Sequence, residues 1–277
     1  MISVRGLVKR YAEEDVVRGI DLDIARGEVF ALLGPNGAGK TTTVEILEGL
    51  RPRTAGEVRV LGVDPADAGS TWRSRVGVVL QSARVEDEIT VEELVAHFAA
   101  FYPDARPPDD VLSLVGLESE RRQRVPRLSG GQKRRVEIAL GIVGRPELLF
   151  LDEPTTGLDP EARRQLWALV RQLADDGTTI LLTTHYLEEA QHLADRVGVL
   201  LSGRLVDVAP PAVVAARERP AAAVRWRDRE GDHDVETDRP TALVAELMTH
   251  FGGEVPELTV TRPSLEDAYL KLIGRSP

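Results

Sequence analysis

Residues 29–42 read Val-Phe-Ala-Leu-Leu-Gly-Pro-Asn-Gly-Ala-Gly-Lys-Thr-Thr, and no other stretch limits the fold as tightly. Residues 29–33 form an unbroken apolar run with the length and bulk of a buried strand. Gly34, Pro35, Asn36, Gly37, Ala38 and Gly39 then make a loop. Lys40, Thr41 and Thr42 open a helical pattern that Val44, Ile46 and Leu47 continue. Strand, glycine loop and helix are the context in which G-x-x-x-x-G-K-[ST] marks a phosphate site. Glycine has no Cβ, so the backbone wraps closely around an anion. Its N–H groups converge as a nest, and the helix aims its positive end at the same point. Lys40 adds a full positive charge for the β- and γ-phosphates, and Thr41 offers a hydroxyl to Mg²⁺.

The rest of the composition narrows the setting. A chain of 277 residues is long enough for one large domain or two modest ones. Its net charge of −10 argues against nucleic acid as the main partner. It has no cysteine, which excludes disulfides, zinc fingers and thiol catalysis. The N-terminus has no signal-peptide pattern, and no apolar run is long enough to span a bilayer. Work at a membrane therefore calls for a partner.

Apolar strands alternate with amphipathic helices through residues 1–208, which predicts an α/β fold around a largely parallel sheet. Strands are expected near residues 2–4, 20–24, 29–33, 57–61, 75–80, 148–151, 178–183, 197–201 and 204–208, with Tyr11 in a polar loop. Helices are expected at 160–174 and 186–193. Residues 84–144 read as a helix-rich insertion forming its own subdomain, and Thr90-Val91-Glu92-Glu93 is a capping box within it. After Pro210-Pro211 the composition changes. Residues 209–277 are expected to form a small α+β appendage, with strands at 224–227 and 258–260 and helices at 241–251 and from Ser264 to about Ile273.

The second chemical motif is Leu148-Leu149-Phe150-Leu151-Asp152-Glu153, an apolar strand ending in two carboxylates. Neighbouring side chains on a strand point opposite ways, so the two acids divide the labour. Asp152 would hold Mg²⁺, usually through water. Glu153 would orient and deprotonate an attacking water. Leu128-Ser129-Gly130-Gly131-Gln132 precedes another apolar helical pattern. Ser129 caps that helix, and the glycines leave N–H groups at its positive end. One nucleotide in one subunit needs no second anion-binding device, so this end is expected to face the γ-phosphate held by another copy.

These motifs, in this order, resemble the nucleotide-binding subunit of an ABC transporter, a P-loop NTPase, over residues 1–208. Gly34 to Thr41 matches the family's Walker A, Gln81 its Q-loop, and Leu128 to Gln132 its signature. Leu148 to Asp152 matches Walker B, Gly157-Leu158-Asp159-Pro160 the D-loop, and His185 the switch histidine. The resemblance implies that Gln81 contacts Mg²⁺ or the water and senses the membrane partner. It implies that His185 contacts the γ-phosphate, that Asp159 helps join two halves of a dimer, and that Tyr11 stacks on adenine. It implies an ATPase that binds ATP and Mg²⁺, pairs with a second copy and drives an integral membrane permease from the inner face of the cell membrane.

Three features resemble exporters with a separate small permease, of the daunorubicin-resistance type. They are His185-Tyr186-Leu187-Glu188-Glu189-Ala190, the run from Val78 to Gln81 leading to Thr90–Leu94, and the tail from Arg262 to Leu270. A drug-like or lipid-like cargo is the expectation. The alternatives are a non-transport ATPase of the same type acting on ribosomes or DNA, the ATPase of an importer, and a P-loop kinase for a small metabolite. Arg121, Arg122, Arg124, Arg127, Lys133, Arg134 and Arg135 gather around the signature. They read as a solvated helical face, with a patch for anionic lipid or nucleotide as the sharper alternative.

Overall fold

A computed structural model describes residues 1–80, 88–218, 221–228 and 230–261, and beyond them residues 265, 266, 269 and 272. The chain runs through β1 (Ile2–Tyr11), β2 (Glu14–Ile24), β3 (Val29–Leu33), α1 (Lys40–Leu47), β4 (Ala55–Val60), α2 (Ser70–Arg73) and β5 (Val76–Val79). The helices α3 (Val91–Ala99), α4 (Pro108–Leu114) and α5 (Gly130–Ile142) follow. Then come β6 (Leu148–Asp152), α6 (Pro160–Asp175), β7 (Thr179–Thr184), α7 (Leu187–Leu193), β8 (Arg196–Leu201) and β9 (Arg204–Ala209). Next come α8 (Pro211–Glu218), β10 (Ala222–Arg227), β11 (Asp232–Thr237), α9 (Pro240–Phe251) and β12 (Thr259–Thr261). It divides into two units, Met1–Val208 and Ala209–Pro277.

The first unit holds a six-stranded sheet in the order β5-β6-β7-β3-β8-β9. β3 runs parallel to β7 and β8, and β6 runs parallel to β5 and β7. Every residue of β3 and β7, and all of β6 but its last, is buried. That accounts for their unbroken apolar sequences, since a parallel sheet covered on both faces has no wet side. A separate antiparallel sheet, β2-β1-β4, lies in the same unit. Its inner residues, among them Val4, Leu7, Ile20 and Val58, share one core with Phe30, Leu32, Phe150 and Leu181. β1 continues to Tyr11, well past the three residues, 2–4, expected from the sequence. Its register against β2 shifts between Val4 and Leu7, between Leu7 and Val8, and again between Lys9 and Arg10. Such bulges break the two-residue alternation on which the sequence reading rests.

The capping box at α3 forms as expected. The Glu93 amide donates to the Thr90 hydroxyl at 3.3 Å, and the Thr90 amide donates to the Glu93 carboxylate at 2.8 Å. α3, α4 and α5 pack on one another, and α5 also packs on β5. Two glycines meet at that second contact. A Cβ on Gly77 would strike the Gly141 carbonyl oxygen, and a Cβ on Gly141 would stand 2.7 Å from Val79 Cγ2. Among the described residues no helix is long and apolar enough to cross a membrane.

The second unit is an antiparallel sheet, β11-β10-β12, packed against α9 around Val224, Leu247 and Val255. β11 is absent from the sequence expectation because Asp-His-Asp-Val-Glu-Thr is polar on both faces. Pairing across the sheet holds it instead: Arg225 with Asp234 at 2.9 Å, Arg227 with Asp232 at 2.5 Å, and Trp226 stacked on His233 at 4.8 Å. The expected closing helix from Ser264 to Ile273 falls mostly outside the described residues.

One buried acid in the first unit sets a pH dependence. Glu48, just past α1, is 7% exposed, and burial, reinforced by Asp152 and Glu45, pushes its carboxyl from 4.5 up to about 7. The folded chain therefore holds this proton more tightly than the unfolded chain. Its contribution to stability is full below pH 4.5 and is lost as pH rises through about 7. Relative to Glu48→Gln, the parent should lose about 2–3 kcal/mol of unfolding free energy between pH 5 and pH 8. Denaturant titrations at the two pH values check this, and parallel pH profiles for the two proteins would refute it.

Candidate functional site

β3, β6 and β7 are neighbours whose carboxyl ends come level. Leu33 stands opposite Thr184, and Asp152 opposite Thr183. The segments that leave these ends, namely the glycine loop, Asp152-Glu153 and Thr184-His185, therefore meet at one edge of the sheet. Parallel sheets present their ligand sites at that edge. The meeting point is a cavity of about 390 Å³ lined by Val16, Asn36, Gly37, Gly39, Lys40, Thr41, Thr42, Glu153 and His185.

The anion-binding end of α1 is built by the loop itself. Gly39 occupies the capping position at φ 101°, and no side chain caps the helix. A Cβ there would stand 2.8 Å from the Val16 carbonyl oxygen. The first-turn N–H groups are thus left to a ligand anion. Lys40 is buried, and its ammonium donates to the carbonyls of Gly34 at 2.7 Å and Pro35 at 3.2 Å. Burial pushes its pKa down, and the nearby Glu153 and Asp152 push it back up.

Thr183 organises the two acids. Its hydroxyl donates to the Asp152 carboxylate. Its carbonyl and hydroxyl oxygens both accept the Glu153 amide, each at 3.1 Å. Glu153 itself sits at φ 43°, in the left-handed region, where a side-chain-bearing residue costs about 1–3 kcal/mol. The Thr156 hydroxyl donates to Glu153 Oε2 at 3.2 Å, and His185 Nδ1 lies 3.2 Å from Oε1. Both carboxylate oxygens are thereby engaged where Glu153 lines the cavity. Among the described residues no group of three or more His, Cys, Asp or Glu could hold a metal by itself. Thr41 lines the cavity, whereas Asp152 does not, and its carboxylate accepts from the Thr183 hydroxyl. A hydroxyl and a carboxylate are oxygen donors of the kind Mg²⁺ takes beside its waters and phosphate oxygens.

Not every expected residue joins this cavity. Ser129 caps α5 in a reciprocal box: its hydroxyl accepts the Gln132 amide at 3.3 Å, and the Gln132 side chain accepts the Ser129 amide at 2.9 Å. The Gln132 side-chain amide also donates to Glu120 at 3.1 Å, so it is committed to the cap. Ser129, Gly130, Gly131 and Gln132 line no part of the 390 Å³ cavity. Asp159 caps α6, accepting from the amides of Glu161 and Ala162 at 2.9 Å each, and those bonds hold its carboxyl below the usual range. Tyr11 ends β1 and lines a separate cavity with Glu14, Asp15, Arg18 and Arg204. Lys9 Nζ stands 4.9 Å from the Tyr11 ring centroid, and the Arg51 guanidinium 5.5 Å from it. Gln81 lies outside the described residues. Sequence reasoning missed Val16, which contributes a wall and a backbone oxygen, and Thr183. Only the place of Thr183 at the end of an apolar strand, two residues before His185, could have pointed to it. A larger cavity, about 730 Å³, lies in the second unit and gathers none of the motif residues.

This fold and this edge-of-sheet phosphate site define an ATPase cassette of the P-loop NTPase class, and the chain belongs to the ABC transporter family, whose sequence model matches residues 17–156. The chain is 37% identical over 303 residues to daunorubicin resistance ATP-binding protein DrrA3 of Streptomyces coeruleorubidus, covering 99% of this chain and 96% of that protein. It is 40% identical over 302 residues to Nod factor export ATP-binding protein I of Burkholderia orbicola, covering 99% and 97%. Among solved structures, the ATP-binding subunit of an ABC transporter matches with a TM-score of 0.70 at 28% identity, covering 78% of this chain and 92% of that one. A dimeric ATP-binding cassette in a post-hydrolysis state bound to ADP and Pi matches with a TM-score of 0.68 at 25% identity, covering 76% and 98%. The family resemblance drawn from motif order is borne out.

The buried ammonium gives the first test of the cavity. Lys40→Ala removes a charge-assisted contact worth about 1.5–3 kcal/mol, so ATP affinity should fall by about 10- to 100-fold. Titration with a fluorescent ATP analogue measures it. An unchanged dissociation constant would remove Lys40 from the site.

Proposed function

We propose that the chain is the ATP-hydrolysing subunit of an exporter, working as a dimer around two ATP-Mg and driving a separate membrane permease for a drug-like or lipid-like cargo. One observation carries the dimer. The cavity that gathers the glycine loop, Glu153 and His185 excludes Ser129–Gln132, although those residues start a helix with N–H groups to offer. A second copy supplies the missing half. The direction of transport and the class of cargo are supported by relatives named for daunorubicin resistance and Nod factor export, which match nearly the whole chain.

In this reading the loop amides and Lys40 hold the phosphates. Thr41 and Asp152, with Gln81, would hold Mg²⁺, whose charge offsets that of the phosphate oxygens. Glu153 takes a proton from the attacking water, with Thr156 and His185 fixing its two oxygens. Ser129 and the amides behind it would meet the γ-phosphate held by the second copy, with Asp159 at the same junction and Tyr11 beside the adenine. ATP binding closes the pair, and hydrolysis removes the bridging group so that it opens. Residues 84–144 would receive the permease, which holds the chain at the inner face of the membrane, and residues 209–277 form an accessory domain.

Glu153→Gln should bind ATP with affinity close to the parent's, turn over at least about 100-fold more slowly, and accumulate as an ATP-bound dimer. Tagged Glu153→Gln protein, expressed in its native cell and recovered with ATP and Mg²⁺ after gentle solubilisation, should bring down a polytopic membrane protein lacking ATPase motifs. Recovery in the soluble fraction with ribosomes or repair proteins would overturn the transport reading and leave the hydrolytic one standing.

A further inference from the structure

Arg134 belongs to the basic group around the signature, where the sequence predicts a solvated face. Its neighbours Arg121 and Arg124 are at the surface and pair with Glu92 and Glu88. Arg134 departs from that pattern. It is 7% exposed, and its guanidinium serves four acceptors, one on its own helix and three beyond it. Nη1 donates to the Leu80 carbonyl at 2.6 Å and to the Glu137 carboxylate at 2.7 Å. Nε donates to the Pro154 carbonyl at 2.9 Å, and Nη2 to the Asp152 carbonyl at 2.8 Å.

Two of those carbonyls belong to the residues on either side of Glu153. The left-handed conformation of Glu153 persists only where its surroundings over-determine it. Thr183 holds the Glu153 amide from β7, and Arg134 holds the flanking carbonyls from α5. The planar five-donor fork of arginine suits this task, because it reaches several oxygens at fixed angles where an ammonium is a single point. The remaining arm grips Leu80, the residue before Gln81 in the chain. Arg134 also lies on the helix that begins with Ser129.

We propose that Arg134 is a positioning residue for ATP hydrolysis. It locks the backbone at Glu153 and ties it to the signature helix and to the strand end leading to Gln81, without touching the nucleotide. The proposal rests on the assignment of Glu153 as general base. It makes the placement of the water-activating carboxylate depend on the seat of α5, the helix whose first turn would meet the second copy's ATP.

The test uses the full chain: steady-state hydrolysis over a range of ATP-Mg, binding of a fluorescent ATP analogue, and thermal melting. A misplacement of about 1 Å at a catalytic group costs about 100-fold. Arg134→Gln should therefore lower kcat by about 10- to 100-fold while KM and the dissociation constant stay within about twofold. Arg134→Lys should recover part of the loss, because an ammonium can still bind one of the carbonyls. Should Arg134→Gln fail to fold around the stranded Glu137 carboxylate, the Arg134→Gln/Glu137→Gln pair and Arg134→Lys carry the same comparison. Parental kcat in a folded variant would overturn the proposal. So would a fall in kcat matched by an equal fall in nucleotide binding, which marks a merely structural role. Glu153→Gln assayed alongside separates the two claims: parental turnover there removes the general base, whatever Arg134 does.

Discussion

The level carboxyl ends of three parallel strands are the constraint on which the rest depends. Because Leu33 pairs with Thr184 and Asp152 with Thr183, the glycine loop, the two acids and His185 leave the sheet together. A one-residue slip of β6 would turn Asp152 and Glu153 to opposite sides of their present places. The burial of nearly every residue in β3, β6 and β7 makes that slip costly. The core thus serves chemistry directly, since its apolar runs fix the register that aligns the polar ends. Thr183 shows the economy of the arrangement, with one residue binding the Asp152 side chain and the Glu153 backbone at once.

How much of this was legible depended on whether a residue's role is local. The glycine loop is written in consecutive residues, and its strand begins and ends where the apolar run does. The capping boxes at Thr90 and Ser129 are equally local. β1 was cut short because bulges after Val4 and Leu7 disturb its alternation. β11 was missed because its stability comes from partners on β10 that no property of its own sequence announces. Arg134 was misread for the same reason, since its acceptors lie up to 54 residues away and three of them are backbone oxygens without side-chain identity. Long-range backbone acceptance leaves no composition signal.

The two units carry different kinds of stability. The first buries a core that runs from the antiparallel sheet through β3 and β6. Among its described residues the second gathers Val224, Leu247 and Val255 into a small cluster and fastens its sheet with arginine–aspartate pairs at the surface. Exposed pairs of that sort contribute little individually and weaken with salt.

The bare contact between Gly77 and Gly141 bears on how a map of mutational tolerance for this chain should be read. Neither glycine touches the nucleotide cavity, yet a methyl group on either would meet the other element directly. Both sites would score as intolerant as Gly39, which turns the glycine loop into α1. Intolerance alone would then draw a false second site at the seam between sheet and helix. Compensation separates the causes only at Gly141, where shrinking Val79 gives room to a side chain; at Gly77 and Gly39 the obstacle is backbone, the carbonyl oxygen of Gly141 and that of Val16, and no neighbour can be trimmed to make way.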